Sequence, residues 1–184
     1  GDAAEVFDPE KGAWSMLPPI SARRVDHAVA FPDGKIHVLG ESDLGHNEHE
    51  ARIFASVEVF DPKTGAWSTP APMSRRRVDH AVAVADGKIY VLGGYDYGDD
   101  GHGAISASAE VFDLETGAWS SLPPMSFERE RPAASIFDGK VYVFGGMCED
   151  VLASAEVFDP CAGCWSVLPP LATPRCGCSA FALR

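Results

Sequence analysis

Residues 23–40 read RRVDHAVAFPDGKIHVLG, and residues 76–93 read RRVDHAVAVADGKIYVLG. A near-copy at a fixed offset is the mark of a repeat architecture. Four tryptophans extend the register along the chain: Trp14, Trp67, Trp119 and Trp165, spaced by 53, 52 and 46 residues. Each is followed ten residues later by an arginine (Arg24, Arg77, Arg129, Arg175). Each follows a Gly-x pair and, before that, the run Glu-Val-Phe-Asp, which recurs at Glu5, Glu58, Glu110 and Glu156.

One repeat predicts four short strands. His80 to Ala85 is small and apolar, with valines at alternate positions, as in a strand packed on both faces. Asp86-Gly87 follows, a two-residue hairpin signal because both residues accept positive φ. Asp33-Gly34 and Asp138-Gly139 stand at the same place. Lys88 to Gly94 is the second strand, and its glycine pair admits a close neighbour. After a variable loop, Ala109 to Asp113 is the third. Asp61-Pro62-Lys63-Thr64-Gly65 shows the next turn, which leads into a fourth strand at Ala66-Trp67-Ser68. Pro123-Pro124 ends the fourth strand of its repeat, since prolines leave a ladder.

A four-stranded meander of about fifty residues cannot bury both faces alone, so copies pack face to face around an axis. The tryptophan is the expected anchor, worth roughly 4–6 kcal/mol if its ring is fully buried. A β-sandwich with accidental similarity would not keep four landmarks in register. The expectation is an all-β propeller with units at 21–73, 74–125 and 126–171, a half blade at 1–20, and the first strand of a further blade at 172–184.

The sequence resembles the Kelch-repeat β-propellers in its Arg24/His27 and Arg77/His80 pairs, in Gly93-Gly94 and Gly145-Gly146, and in Trp67, Trp119 and Trp165. Phe60, Phe112 and Phe158 stand where that family usually has tyrosine. Two positions depart: Gly40-Glu41 replaces a glycine pair, and Pro132 stands in a histidine's place. Glu41 points to looser packing or a functional loop. By resemblance, five to seven blades are usual, so three blades predict a portion of a larger propeller. A small four-bladed ring, or an arc closed by a partner through its open edges, is the alternative.

The chain has 184 residues and a net charge of −12. That charge argues against nucleic acid and suits basic partners. No apolar run is long enough to span a membrane, and the first residues lack the basic start and apolar core of a signal peptide. Five cysteines without a disulfide ladder point to a reducing compartment such as the cytoplasm.

Chemistry-bearing groups are few. His27 and His80 sit at repeat-equivalent strand positions and read as structure, and His37 is a packing variant of Tyr90 and Tyr142. No nucleophile–base constellation or phosphate loop is legible, so neither a catalytic residue nor a cofactor is expected. The acidic loops 41–54 and 95–103 could trap a divalent ion but read more simply as solvated. The Glu, Asp and His spacing of the iron site in some plant Kelch proteins is missing. Cys161, Cys164, Cys176 and Cys178 could ligate zinc, yet each stands in for an ordinary packing or turn residue.

What remains is a binding surface. The connections between blades carry Arg23, Arg24, Arg75, Arg76, Arg77, Arg129 and Arg131. They share one face with the loops between second and third strands, which carry Glu41, Asp43, Tyr95, Asp96 and Tyr97. The resemblance implies an adaptor that holds a protein partner there, with arginines that clamp acidic side chains. The arginines could equally pair with third-strand carboxylates. Two further readings stay open: a structural subunit of a large assembly, and a sugar-acting or oxidase-like propeller enzyme.

Overall fold

The computed structural model describes residues 4–21, 24, 27–43, 52–97, 102–180 and 182, with 41–43 and 52 described in their backbone only. Among these residues the chain forms seventeen strands and a single 3-10 turn at Pro32–Gly34. Strands β1 (Glu5–Asp8) and β2 (Ala13–Met16) pair as a two-stranded sheet. Strands β3 (Ala28–Ala30), β4 (Ile36–Asp43), β5 (Arg52–Asp61) and β6 (Ala66–Ser68) form the first four-stranded meander.

The next repeat has strands β7 (Arg76–Val78), β8 (Ala81–Ala85), β9 (Lys88–Leu92), β10 (Tyr95–Tyr97), β11 (Gly103–Ile105), β12 (Ala109–Asp113) and β13 (Ala118–Leu122). Here β8, β9, β12 and β13 make the second meander, and β7, β10 and β11 make a small sheet of their own in the order β7-β10-β11. The third meander is β14 (Ala133–Phe137), β15 (Lys140–Phe144), β16 (Ala155–Asp159) and β17 (Cys164–Leu168). All neighbours are antiparallel.

The turns follow the residues that make them. Asp33-Gly34, Asp86-Gly87 and Asp138-Gly139 all have positive φ at both positions, the mirror-image turn that suits twisted hairpins. At the other hairpin Asp113 accepts the amide protons of Glu115 and Thr116. The ammonium of Lys88, with those amides, lowers the Asp113 pKa to about 2.

The meanders pack as blades. Inner strand β8 lies against both β3 and β14. Strand β9 shows why its sequence is apolar without interruption. Ile89 and Val91 pack into a cluster with Leu39, Val57 and Met73 of the preceding blade. Tyr90 and Leu92, pointing oppositely, pack with Val141, Val143 and Phe158 of the following one.

The tryptophans anchor blades differently from expectation. Trp67, Trp119 and Trp165 are half-buried, because each is on an outermost strand. Their packing partner is the buried one: Phe60, Phe112 and Phe158, at ring-centroid distances of 5.2, 5.0 and 5.1 Å. Each indole N–H also donates to the preceding blade, at the carbonyls of Pro18, Ala71 and Pro123. The tryptophan is therefore a clamp between blades, with part of its ring left in water.

Ten residues after Trp14, Trp67 and Trp119, the arginines Arg24, Arg77 and Arg129 are the more deeply buried groups. Arg77 is 1 % exposed. Its guanidinium donates to the Gly93 carbonyl at 2.7 Å, to the Ser108 hydroxyl at 3.0 Å and to Glu110 at 3.0 Å. Arg129 repeats this with Gly145, Ser154 and Glu156, and Arg24 with Gly40, Ser56 and Glu58. The carboxylates also accept from the amides of Ser21, Ser74 and Ser126. Burial lowers the pKa of Arg77 and Arg129, and Glu110 and Glu156 offset it.

Two residues beyond Arg77, Arg129 and Arg175, the residues Asp79, Arg131 and Gly177 adopt left-handed φ of 54°, 50° and 59°. The Arg131 N–H donates to the Asp79 carbonyl at 2.7 Å, and the Gly177 N–H to the Arg131 carbonyl at 2.9 Å. This links successive blades near their inner strands. At Glu41 the first blade departs from the other two. Strand β4 takes a bulge between Leu39 and Glu41 and continues to Asp43, paired with residues 52–54 of β5.

The described residues of 172–184 carry no strand. The segment still enters as earlier connections do: the Gly146 N–H donates to the Arg175 carbonyl at 2.8 Å.

Two outcomes test this frame. Arg129→Ala, which strands Glu156 in the interior, lowers the urea-unfolding free energy by about 3–5 kcal/mol, and Arg129→Met with Glu156→Leu recovers much of that loss. His80 is buried without a hydrogen-bond partner, and burial, with Arg77 nearby, lowers its pKa to about 3. Folded chain refuses a proton that an unfolded histidine accepts near 6.5. Stability therefore falls as pH drops below that value, by up to about 1.4 kcal/mol per pH unit for this residue. Burial also lowers His37 and adds to the slope. Unfolding midpoints measured from about pH 6 to about pH 5 fall less steeply in His80→Gln than in the parent chain.

Candidate functional site

The glycine pair that ends the second strand of the second and third blades decides what rises above them. Gly93 and Gly94 are held at positive φ against the Arg129 carbonyl and Val78–His80, so the backbone turns there and resumes in a new direction. In the second blade it resumes as β10, which leaves β9's plane and pairs with β7 on one side and β11 on the other. Asp96 lies opposite Arg77, and Tyr97 opposite Arg76. The connection between blades and the loop between second and third strands thus form one rim structure. The third blade has a reduced version, with single bridges from Met147 to Glu130 and to Val151. The first has the long β4–β5 ribbon.

Between the first-blade ribbon and the second-blade rim sheet lies a cleft of about 620 Å³, lined by Ile53, Phe54, Pro72, Arg76 and Tyr97. Tyr97 meets Tyr95 edge-on at 5.3 Å, and the Tyr95 hydroxyl donates to the Gly103 carbonyl at 3.1 Å. The Tyr95 ring is thereby tied to β11, and Tyr97 leans on it. A wall of aromatic and aliphatic carbon with an arginine beside it can hold an apolar side chain next to a polar one; nothing in it resembles a nucleophile with its base.

The arginines separate into two groups. Arg24, Arg77 and Arg129 lie inside the blades, each bound to its third-strand glutamate, so they do not line the rim. Arg75, Arg76 and Arg131 are exposed. Arg75 pairs with Asp96 at 2.9 Å, and Arg131 reaches across the blade seam to Asp79 at 3.1 Å. Both pairs are partly in water and contribute little to stability. Tyr95, Asp96 and Tyr97 are brought together on β10. Glu41 and Asp43 continue β4 along the ribbon. Arg23 lies outside the described residues, as do residues 44–51 and 98–101 of the acidic loops.

Ile53, Phe54 and Pro72 were not among the expected site residues. Their signal was available: Ile53-Phe54 is an apolar pair at the end of a charged loop, where a solvated loop has no use for one. All five cysteines are free, with Cys161 exposed on the β16–β17 turn and Cys164 exposed at the start of β17. Among the described residues no group of three or more His, Cys, Asp or Glu could hold a metal ion, and no helix is long and apolar enough to cross a membrane.

Comparison with known proteins gives one answer. The family described as the KLHDC2/KLHL20/DRC7 Kelch-repeats domain matches residues 2–184. The Kelch-like protein terF of Aspergillus terreus is 35% identical over 147 residues, which cover 76% of this chain and 32% of terF. The F-box/kelch-repeat protein At1g67480 of Arabidopsis thaliana is 34% identical over 143 residues, 77% of this chain and 36% of that protein. Kelch repeat and BTB domain-containing protein 12 of Homo sapiens is 27% identical over 157 residues, 79% and 25% respectively. The chain thus spans about a quarter to a third of the length of these relatives. Among solved structures, YjhT superposes with a TM-score of 0.78 at 14% identity, over 97% of this chain and 65% of that one. That likeness is one of fold.

Two adjacent residues test the sorting of the arginines. Arg77→Ala costs about 3–5 kcal/mol of unfolding free energy because Glu110 is left uncompensated. Arg76→Ala, on the exposed side of the same strand, changes it by no more than about 0.5 kcal/mol. Chemical denaturation of both variants reads the difference.

Proposed function

The chain belongs to the Kelch-repeat family, and from that premise we propose that it is a non-catalytic protein-interaction module that holds its partner on the rim. The cleft between the β4–β5 ribbon and the β7-β10-β11 sheet carries this reading. It combines Phe54, Tyr97 and Arg76, and aromatic and arginine side chains at a fixed concave place are what protein interfaces use as anchors. Arg75, Tyr95 and Asp96 extend the surface along β10 and its connection, and Arg131 extends it toward the blade axis. Glu41 and Asp43 belong to it by their place on the ribbon, and Arg23 by its place in a connection. The buried Arg–Glu pairs supply the stiffness that keeps such a surface preformed, which reduces the ordering cost of binding.

Relatives with F-box or BTB in their names join Kelch repeats to a second kind of segment. By that analogy this module selects a protein for another domain to act upon. Its net charge of −12 and the mixed signs at the rim favour a partner that carries both charges.

The test is comparative capture. The immobilised chain is used to retain proteins from a lysate, and they are identified by mass. Arg76→Ala with Tyr97→Ala is expected to lose at least one specific protein at unchanged thermal midpoint. Glu115→Lys, on a turn at the opposite end of the blade, is expected to keep it. Identical sets from all three proteins, or loss caused by Glu115→Lys alone, would sink the rim assignment.

A further inference from the structure

The cleft between the β4–β5 ribbon and the rim sheet has a composition that narrows what can occupy it. Its carbon comes largely from two rings and a proline: Phe54 and Tyr97 are half-buried there, and Pro72 is exposed. Tyr97 leans on Tyr95, whose hydroxyl donates to the Gly103 carbonyl, so that wall stands formed before a partner arrives. Among the described lining residues Arg76 alone is charged. It is exposed, and a guanidinium carries five N–H groups, enough to serve a ligand carboxylate alongside its contacts within the chain.

The main chain here has little to give an added strand. The Ala55 carbonyl already accepts the Met73 N–H, and Pro72 has no N–H to offer. Ile53 and Phe54 are laddered to β4, and Arg76 to Val78 are laddered to β10. Close to the cleft the two walls approach backbone to backbone, since a Cβ on Gly40 would lie 2.6 Å from the Arg77 carbonyl. A segment that relies on ladder hydrogen bonds would bury amides of its own without matching them. A polyproline II segment has the opposite need. It forms no ladder, its prolines carry no N–H, and its rings dock on aromatic walls.

The size agrees. A cleft of about 620 Å³ is roughly 8–9 Å across, and one turn of polyproline II rises about 9 Å over three residues. One such turn fits, and Arg76 calls for an acidic residue within it or next to it.

We propose that this cleft holds one turn of a proline-containing extended segment of the partner, with proline rings against Phe54 and Tyr97 and a neighbouring carboxylate on Arg76. This rests on the rim being the partner face and adds the class of segment that is read there.

Four blocked pentapeptides are titrated into the chain and followed by NMR amide shifts. They are acetyl-Pro-Pro-Glu-Pro-Pro-amide, acetyl-Ala-Ala-Glu-Ala-Ala-amide, acetyl-Pro-Pro-Lys-Pro-Pro-amide and the strand former acetyl-Val-Thr-Glu-Val-Thr-amide. The first is expected to bind at least five-fold more tightly than each of the others, with shifts confined to 53–56, 73–76 and 95–97. Tyr97→Ala is expected to remove the preference for proline, and so is Phe54→Leu, which keeps an apolar wall and loses the ring. Arg76→Met is expected to remove only the preference for glutamate over lysine, and Glu115→Lys to keep both. Equal or tighter binding by any of the other three peptides overturns the proposal. So do shifts elsewhere, no saturable binding by the first peptide, or a proline preference that survives both ring substitutions. Loss of the captured protein in Arg76→Ala with Tyr97→Ala, alongside no proline preference here, leaves the rim assignment standing and removes only this one.

Discussion

One buried ion pair per blade organises this molecule. Arg24, Arg77 and Arg129 each lie under a glycine carbonyl and against a glutamate two residues before the buried phenylalanine. Desolvating both charges is costly, and only near-complete hydrogen bonding offsets it. Arginine is the side chain with enough donors in a planar fork to reach a carbonyl, a hydroxyl and a carboxylate together. The pair fixes three pieces of chain relative to one another: the incoming connection, the end of the second strand and the third strand. Glycine at the second strand's end follows from this, because a Cβ on Gly40 would lie 2.6 Å from the Arg77 carbonyl of the next blade.

The same geometry frees the rim to differ from blade to blade. Once the second strand has been stopped by its glycines, whatever follows no longer needs to match the core. The first blade bypasses the stop with a bulge and a long ribbon, the second redirects into a small sheet, and the third keeps two single bridges. Variation above a constant support is what an interaction surface needs, since recognition can change without loss of the fold. At the opposite end the blades remain alike, with a lysine–aspartate pair in each: Lys35–Asp61, Lys88–Asp113 and Lys140–Asp159.

Much of the fold was legible residue by residue. The Asp-Gly hairpins, the Asp-to-Gly turns and the continuous apolar second strands each carry a local signal, and each formed where it was read. The role of Trp67, Trp119 and Trp165 was legible only in part. A tryptophan at a fixed place reads as a buried anchor, but its strand is outermost, and strand order is not a local property. The arginines show the same limit at the candidate site. Arg76 and Arg77 are adjacent and identical in type, yet one is exposed and the other 1 % accessible. Strand alternation places them on opposite sides; which side faces the interior was set by the register of β7 against β10.

The sequence by itself determined the repeat, the number of complete blades and the stops that punctuate them, because turns and alternation act over a few residues. It also determined that connections and second-to-third-strand loops share an end, since antiparallel strands allow no other arrangement. Only the tertiary structure decided that the rim of the second blade is a sheet and that Ile53 and Phe54 reach Arg76 and Tyr97 across a blade seam. Those features arise where segments far apart in the chain meet, and the meeting distance depends on packing that no short window of residues encodes.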